Sequence, residues 1–539
     1  MKTRSIYTSA LAILLALSST NCTQLEDESF TEILSSEFDP KASDVAALVG
    51  RAYTNMRFIL LDWDGTWRAQ EVSADQIVIP ARPNGWVDGG VFRRLHEHKW
   101  TTDDPIVIQT WNRTFAGITN TNRLLYQIET GLVPLATEKE ATIAELKVLR
   151  AYYYYLLCDM YGNVPIVTSF DLPEGFLPEQ STRKQVYEFI VKELKDNIPL
   201  LSTKNDISTY GRFNKWAGLT LLAKMYLNAQ VYSGTPAWQE CVNTCDEIIN
   251  GGAGFILESN HKDVFRTSNE GSKEIIFGIP IDEKYTTNWN AFDFHLQTLA
   301  PESQATYNLK STPWGGMAAI PQFVSSYDPD DIRLKTDWIQ GQQYTAAGQP
   351  IIAGGTPLIY VNEIAGVDRS NMFDGFRLGK FEIKPESTNI LNNDFPLLRY
   401  SDVLFMKAES LLRTGRADEA AAIVTQIRQR YFKSNPAKAV VTGAELMQGS
   451  TYDYGLRNHT TSTDEEGRDI MYGRMLDELG WEFSQEGRRR QDMIRFNVFT
   501  KKSWFSHTPN SEYRSLYPIP RVELQKNTKL VQNPGYPQG

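Results

Sequence analysis

The residues with the clearest chemical use are tryptophans set in polar, glycine-rich stretches. In "DQIVIPARPNGWVDGGVFRRLHEHKW", Trp86 stands in a loop close in sequence to Arg82, Asn84 and Asp88. In "EKYTTNWNAFDFHL", Trp289 lies between Asn288 and Asn290. In "YNLKSTPWGGMAAI", Trp314 follows Tyr307 and precedes Gly315 and Gly316. An indole face stacks on an apolar C–H face such as a pyranose ring offers. Planar amides, carboxylates and guanidinium groups then take up the hydroxyls around it. That chemistry makes Trp86, Trp289, Trp314, Arg82, Asn84, Asp88 and Tyr307 the expected binding residues, Trp86 foremost. The plainer role for each ring is packing, as a pin between loop and core. Trp63 and Trp67 in "LDWDGTWRAQ" are weaker candidates, since their spacing also suits packing at a helix end. Trp111, Trp216 and Trp481 sit in helical stretches and are expected in the core.

Other chemistry is sparse. Of six histidines, only His96 and His98 in "RLHEHKW" cluster, and no third ligand lies near them in sequence. They are read as surface or core histidines, and no metal or cofactor is expected. The chain carries no GxSxG, HExxH, phosphate-binding loop or GxGxxG signature. With 65 acidic residues, a carboxylate pair for glycoside cleavage is neither indicated nor excluded by counting, so an enzyme is the minor reading. A net charge of −10 argues against a nonspecific grip on nucleic acid, which needs a basic face. Cys158, Cys241 and Cys245 are odd in number, and the last two are spaced i, i+4 rather than as CxxC; buried thiols are expected.

The first residues, "MKTRSIYTSALAILLALSSTNC", have Lys2 and Arg4 before an apolar stretch from about Ala10 to Leu17. That stretch is too short to span a bilayer and reads as an export signal, residues 1–21. "LSSTNC" resembles a lipobox, although Asn21 replaces the usual Gly or Ala, and Cys22 is the expected lipidation site. Residues 22–40 then form a polar, acidic tether.

The elements that must position the tryptophans are mainly helical. Apolar residues recur at helical spacing in "SDVAALVGRAYTNMRFIL", "IVIQTWNRTFAGITNTNRLLYQIE" and "TEKEATIAELKVLRAYYYYLLCDMYG". The pattern continues through "STRKQVYEFIVKELKDNIPLL" and the pair "GRFNKWAGLTLLAKMYLNAQVYSG" and "PAWQECVNTCDEIINGG". Such pairs predict tetratricopeptide-type helical hairpins over 41–253. Residues 254–394 differ: rich in Gly, Pro, Asn and aromatics, they show only short strand-like pieces such as "EIIFGIPI" and "PLIYV". A long irregular insertion in a helical protein is where a binding surface is expected. Helix returns at "FPLLRYSDVLFMKAESLLRTGRADEAAAIVTQIRQRYF" and in a final segment, "YGRMLDELGWEFSQEGRRRQDMIRF". The end, "YPIPRVELQKNTKLVQNPGYPQG", has the Pro spacing of an extended strap. Tyr152 to Tyr155 look like a platform, but four consecutive helical residues sweep about 300°. They face all round the helix and are expected to be packed on every side.

Several of these stretches carry a resemblance. "LKVLRAYYYYLLCDMYGNVPIV", "GRFNKWAGLTLLAKMYLNA", "FPLLRYSDVLFMKAESL", "LDELGWEFSQEGRRRQDMIRF" and "LYPIPRVELQKNTKLVQNPGY" resemble, in order, the signature segments of the SusD/RagB family of outer-membrane nutrient-binding lipoproteins. Leu479 and Gly480 depart from the family's usual Glu-Arg. In "EFSQEGRRRQDMIRF", Glu482, Glu486 and Arg490 are spaced to share one helix face and are read as structural ion pairs. The resemblance implies a SusD-like fold, mainly α, with helical hairpins over 41–253 and a C-terminal region over 254–539 whose insertion 254–394 bears the ligand surface. It implies a non-enzymatic lipoprotein on the outer face of a Gram-negative outer membrane, which captures a glycan and serves a SusC-like TonB-dependent transporter. It also favours an aromatic binding residue near the loop holding Trp86. The number of tryptophan candidates points to an extended, neutral polysaccharide such as a β-glucan or xyloglucan, with fructan another option. Rival readings are an oligopeptide cargo on the same fold, a helical-repeat adaptor that binds only protein, and a glycoside hydrolase.

Overall fold

Long helices form the first half of the structure, a computed structural model that describes residues 42–83, 86–135, 138–286 and 291–538. The signal segment, Cys22 and the tether lie outside these residues, as do Asn84 and Trp289. In chain order the helices are α1 (Ala42–Leu61), α2 (Thr66–Glu71), α3 (Val91–His96), α4 (Pro105–Glu129), α5 (Lys139–Met160), α6 (Arg183–Asn197), α7 (Lys215–Leu227) and α8 (Trp238–Asn250). Their starts are written locally. Pro105 opens α4 where a missing N–H costs nothing. Thr182 and Gln185 close a capping box on α6. Asn214 accepts from the backbone of Trp216 and Ala217 at 3.1 and 3.0 Å to cap α7.

Consecutive helices pack on one another: α4 on α1 and α5, α5 on α6, and α7 on α8. Helix α5 is the hub. All four tyrosines from Tyr152 to Tyr155 are at most 8% exposed, which fixes them as scaffold. Their hydroxyls are mostly anchored: Tyr153 donates to Ala52 O at 2.6 Å, Tyr154 to Val167 O at 3.0 Å, and Tyr155 accepts from Gln491 at 2.8 Å. The thiols of Cys158, Cys241 and Cys245 are free and buried, and Trp111, Trp216 and Trp481 are at most 5% exposed.

Residues 254–394 contain only helices of a turn or so and short strands. Strand β1 (Ile77–Val78), from the N-terminal half, pairs antiparallel with β3 (Ala318–Ala319). Strand β2 (Ile275–Ile279), the predicted "EIIFGIPI" piece, pairs antiparallel with β4 (Phe395–Arg399). The irregular region is thereby tied at both ends to the helical body. It also holds a small core of its own, Ala300, Ile351, Ala353, Leu358 and Tyr360. Helices α9 (Tyr400–Arg413) and α10 (Ala417–Arg428) follow, α9 packing on α8 and α10.

The final segment departs from the single helix its spacing suggests. It breaks into α11 (Gly473–Phe483) and α12 (Arg489–Arg495). Gln485 and Gly487 take positive φ, and a Cβ at Gly487 would fall 2.8 Å from the Trp67 ring. The buried Glu71 carboxylate accepts from the backbone of Gly487 and Arg488 at 2.7 and 3.0 Å, rewarding the break with a cap on α12. Glu482, Glu486 and Arg490 therefore do not share one helix face. Glu482 and Glu486 converge on Arg399 at 2.7 Å each, whereas Arg490 pairs with Asp159 at 3.0 Å. Ion pairing is the right role, with other partners. The C-terminal strap crosses the hub: Asn533 donates to Tyr161 O at 2.7 Å, and the Trp100 indole donates to Tyr536 at 2.7 Å.

Candidate functional site

Pairing of β1 with β3 sets Ile77 opposite Ala319 and brings the Trp86 loop beside the stretch that holds Trp314. Past β1, the Arg82 guanidinium locks the two together. It is 5% exposed, and it donates to Gly316 O at 3.0 Å, Asn371 O at 2.5 Å and Asp374 O at 3.0 Å. Arg82, expected among the binding residues, is thus committed to three carbonyls and ties the loop to the Gly316 and Asn371–Asp374 stretches. The Trp86 ring lies against Gly316, where a Cβ would come within 2.0 Å of a ring carbon, so only glycine admits the indole.

The outcome is an aromatic row. Trp86 and Trp314 lie 6.3 Å apart, ring planes at 70°. Phe92 stands 5.7 Å from Trp86, and Trp63 lies 6.5 Å beyond Phe92. Trp86, Trp314 and Trp63 are half-buried, each packed against the main core. Trp67 is different: it is fully buried and its indole donates to Gln485 O at 2.9 Å, a packing role. Asp88 is exposed beside Trp86; partial burial raises its carboxyl, and a hydrogen bond from Trp86 opposes the rise. Tyr307 is half-buried at the end of a short helix, Gln304–Tyr307, and burial pushes its hydroxyl up to about 12. Phe92 and Gly316 were missed by sequence reasoning, one inside a helix, the other plain in "PWGG" but mute about its neighbour. Tyr285, 73% exposed next to the Trp289 stretch, was also passed over.

The titratable clusters elsewhere are structural. His96 and His98 are buried at the end of α3 and are joined by His507, whose ring centre lies 4.2 Å from that of His98. His96 contacts the carbonyls of Val72 and Phe505, His98 that of Ser73, and His507 that of His96. Among the described residues, no group of three or more His, Cys, Asp or Glu could hold a metal ion. Glu482 is fully buried; burial raises its carboxyl, yet Arg430, Arg399 and Arg333 hold it well below the usual carboxylate range. A carboxylate so held is a poor proton donor or acceptor at neutral pH.

Comparison with known proteins agrees with this architecture. The SusD-like family described as starch-binding and associating with the outer membrane matches residues 36–227, and the SusD family, SusD/RagB, matches 273–536. The chain belongs to the SusD/RagB family. The starch-binding protein SusD of Bacteroides thetaiotaomicron is 23% identical over 496 residues, 84% of this chain and 82% of that one. A laminarin-binding SusD-like protein superposes with a TM-score of 0.69 at 20% identity, covering 93% of this chain and 100% of that one. Surface glycan-binding protein A of B. thetaiotaomicron, solved with laminarihexaose, gives 0.68 at 18% identity, covering 91% and 99%. The fold is SusD-like.

Proposed function

We propose that this protein is a non-enzymatic glycan-binding lipoprotein of the outer-membrane surface, anchored through Cys22, that captures a polysaccharide and passes it to a SusC-like TonB-dependent transporter. The observation that carries the reading is the Trp86–Trp314 pair, two half-buried tryptophans whose rings are set at 70° on one seam. Rings so inclined follow a curved glucan better than a flat ribbon, so among β-glucans a laminarin-type polymer is favoured over an extended one. Tyr307 and Asp88, and Asn84 and Trp289 outside the described residues, complete the proposed surface. Glu482, held low by three arginines, and the family's non-enzymatic character support binding over hydrolysis.

Affinity gels and calorimetry with laminarin, starch, xyloglucan and inulin test this. Trp86→Ala with Trp314→Ala should weaken binding of the preferred polymer by about tenfold or more, since stacked aromatics supply ~1–3 kcal/mol together with their buried area. Retained affinity in the double variant would overturn the stacking reading, and new reducing ends on incubation would overturn the non-enzymatic one.

A further inference from the structure

A groove of about 550 Å³ has Asn371, Asp374, Asp453 and Glu363 in its lining, together with apolar residues such as Ile364 and Phe505. One guanidinium links the groove to the stretch that seats Trp86. Arg82 reaches Gly316 O, against which Trp86 lies, and also the carbonyls of Asn371 and Asp374, which line the groove. The stretch that seats Trp86 and a wall of the groove thus share one buried anchor.

The groove floor is rigid. Gln322, 7% exposed, donates its amide N–H groups to the carbonyls of Asp453 and Gly455, and Asn362 donates to Ser325 Oγ at 3.1 Å and Pro321 O at 3.4 Å. With these nitrogens committed, neither amide oxygen has a donor, and both oxygens are buried. The walls add Glu363, Asp374 and Asp453 against the cation Arg457, which is itself paired to Asp453 at 2.6 Å. Glu363 and Asn371 are exposed, and the Glu363 carboxylate enters no salt bridge among the described residues.

The lining thus carries more carboxylates than cations, Glu363, Asp374 and Asp453 against Arg457 and His459, the last beside Asp368 at 3.9 Å. A ligand that fits must bring O–H groups and no negative charge of its own, and the volume lies within the range of small-ligand sites. We infer that this groove is a second glycan subsite continuous with the tryptophan pair, and that it restricts the ligand to neutral polyhydroxylated polymers, rejecting uronate- and sulfate-bearing ones. The inference rests on the glycan-binding reading and adds the ligand's charge class and a second contact region.

The test uses the mature protein with laminaribiose, laminarihexaose and polygalacturonate at low salt, and with xyloglucan and inulin oligosaccharides as further neutral probes. Glu363→Ala combined with Asn371→Ala should lower affinity for the longest neutral oligosaccharide by about tenfold while leaving the disaccharide unchanged, because only a long chain spans both regions. Glu363→Lys should likewise weaken the neutral ligand and raise binding of polygalacturonate. Equal effects on long and short ligands, no effect at all, or wild-type preference for polygalacturonate would each overturn the subsite. Should the tryptophan double variant keep its affinity while Glu363→Ala with Asn371→Ala loses it, the stacking reading falls and the groove stands. If no neutral glycan binds, the groove inference is overturned.

Discussion

At Gly316 a single missing atom decides where an indole can lie. A methyl group there would occupy the space of the Trp86 ring. Gly316→Ala should therefore push the ring off the seam and weaken glycan binding about as much as Trp86→Ala, with the fold retained; calorimetry showing unchanged affinity would refute the role assigned to this contact. The buried histidines act at the same scale, on stability. Burial lowers His96 and His507 and pushes His98 down to about 3, whereas the unfolded chain takes up these protons near 6.5. The stability they confer is whole above pH 6.5 and is lost as pH falls toward 3, at about 1.4 kcal/mol per pH unit for each fully shifted group. Glu71, pushed up to about 7 by burial, slopes the other way, favouring the fold at low pH. Denaturant unfolding of the wild type and His98→Leu at a series of pH values isolates the histidine term. A parallel pH dependence in the two would show that His98 does not contribute.

Among the elements, the region around α11 and α12 is held by charge as much as by apolar packing. Arg399 at the end of β4 meets Glu274 at 2.8 Å and Glu482 and Glu486 at 2.7 Å, and Arg430 meets Glu274 and Glu482 at 2.6 Å. A buried pair adds little over apolar groups of the same shape, but losing one partner strands the other charges. Arg399→Met should cost about 3–5 kcal/mol in denaturant unfolding for that reason. A loss below about 1 kcal/mol would mean that water already reaches these carboxylates. The break at Ser484–Arg488 belongs to the same arrangement, since a continuous helix would carry Glu486 and Arg490 along one face and away from the partners they have.

Across the whole molecule, the candidate surface is shared between the Trp86 loop of the N-terminal half and the Trp314 stretch of the irregular region. The helices supply rigidity, and the strap closes on the end of the hub helix through Asn533 and on Trp100 through Tyr536. No described helix is long and apolar enough to cross a membrane. In the proposed reading, membrane attachment is through Cys22. Cys22→Ala should move the protein from the outer-membrane fraction to the soluble one, as followed by fractionation and immunoblotting; a variant that stays with the membrane would remove the lipid anchor from the proposal.

The sequence by itself determined what depends on neighbours along the chain: helix periodicity, the burial forced on Tyr152 to Tyr155 by helical geometry, and the ordered motifs of the family. Tertiary structure decided what depends on residues far apart. It joined Trp86 to Trp314 through the pairing of β1 with β3, and it turned Arg82 inward because three carbonyls waited there. It brought His507 to His96 and His98, and it broke the last helix where Glu71 could cap a new one. Local preferences cost at most about 1 kcal/mol per residue outside proline, whereas an unpaired buried charge costs several. Where the two compete, long-range partners win, and those partners cannot be read from spacing.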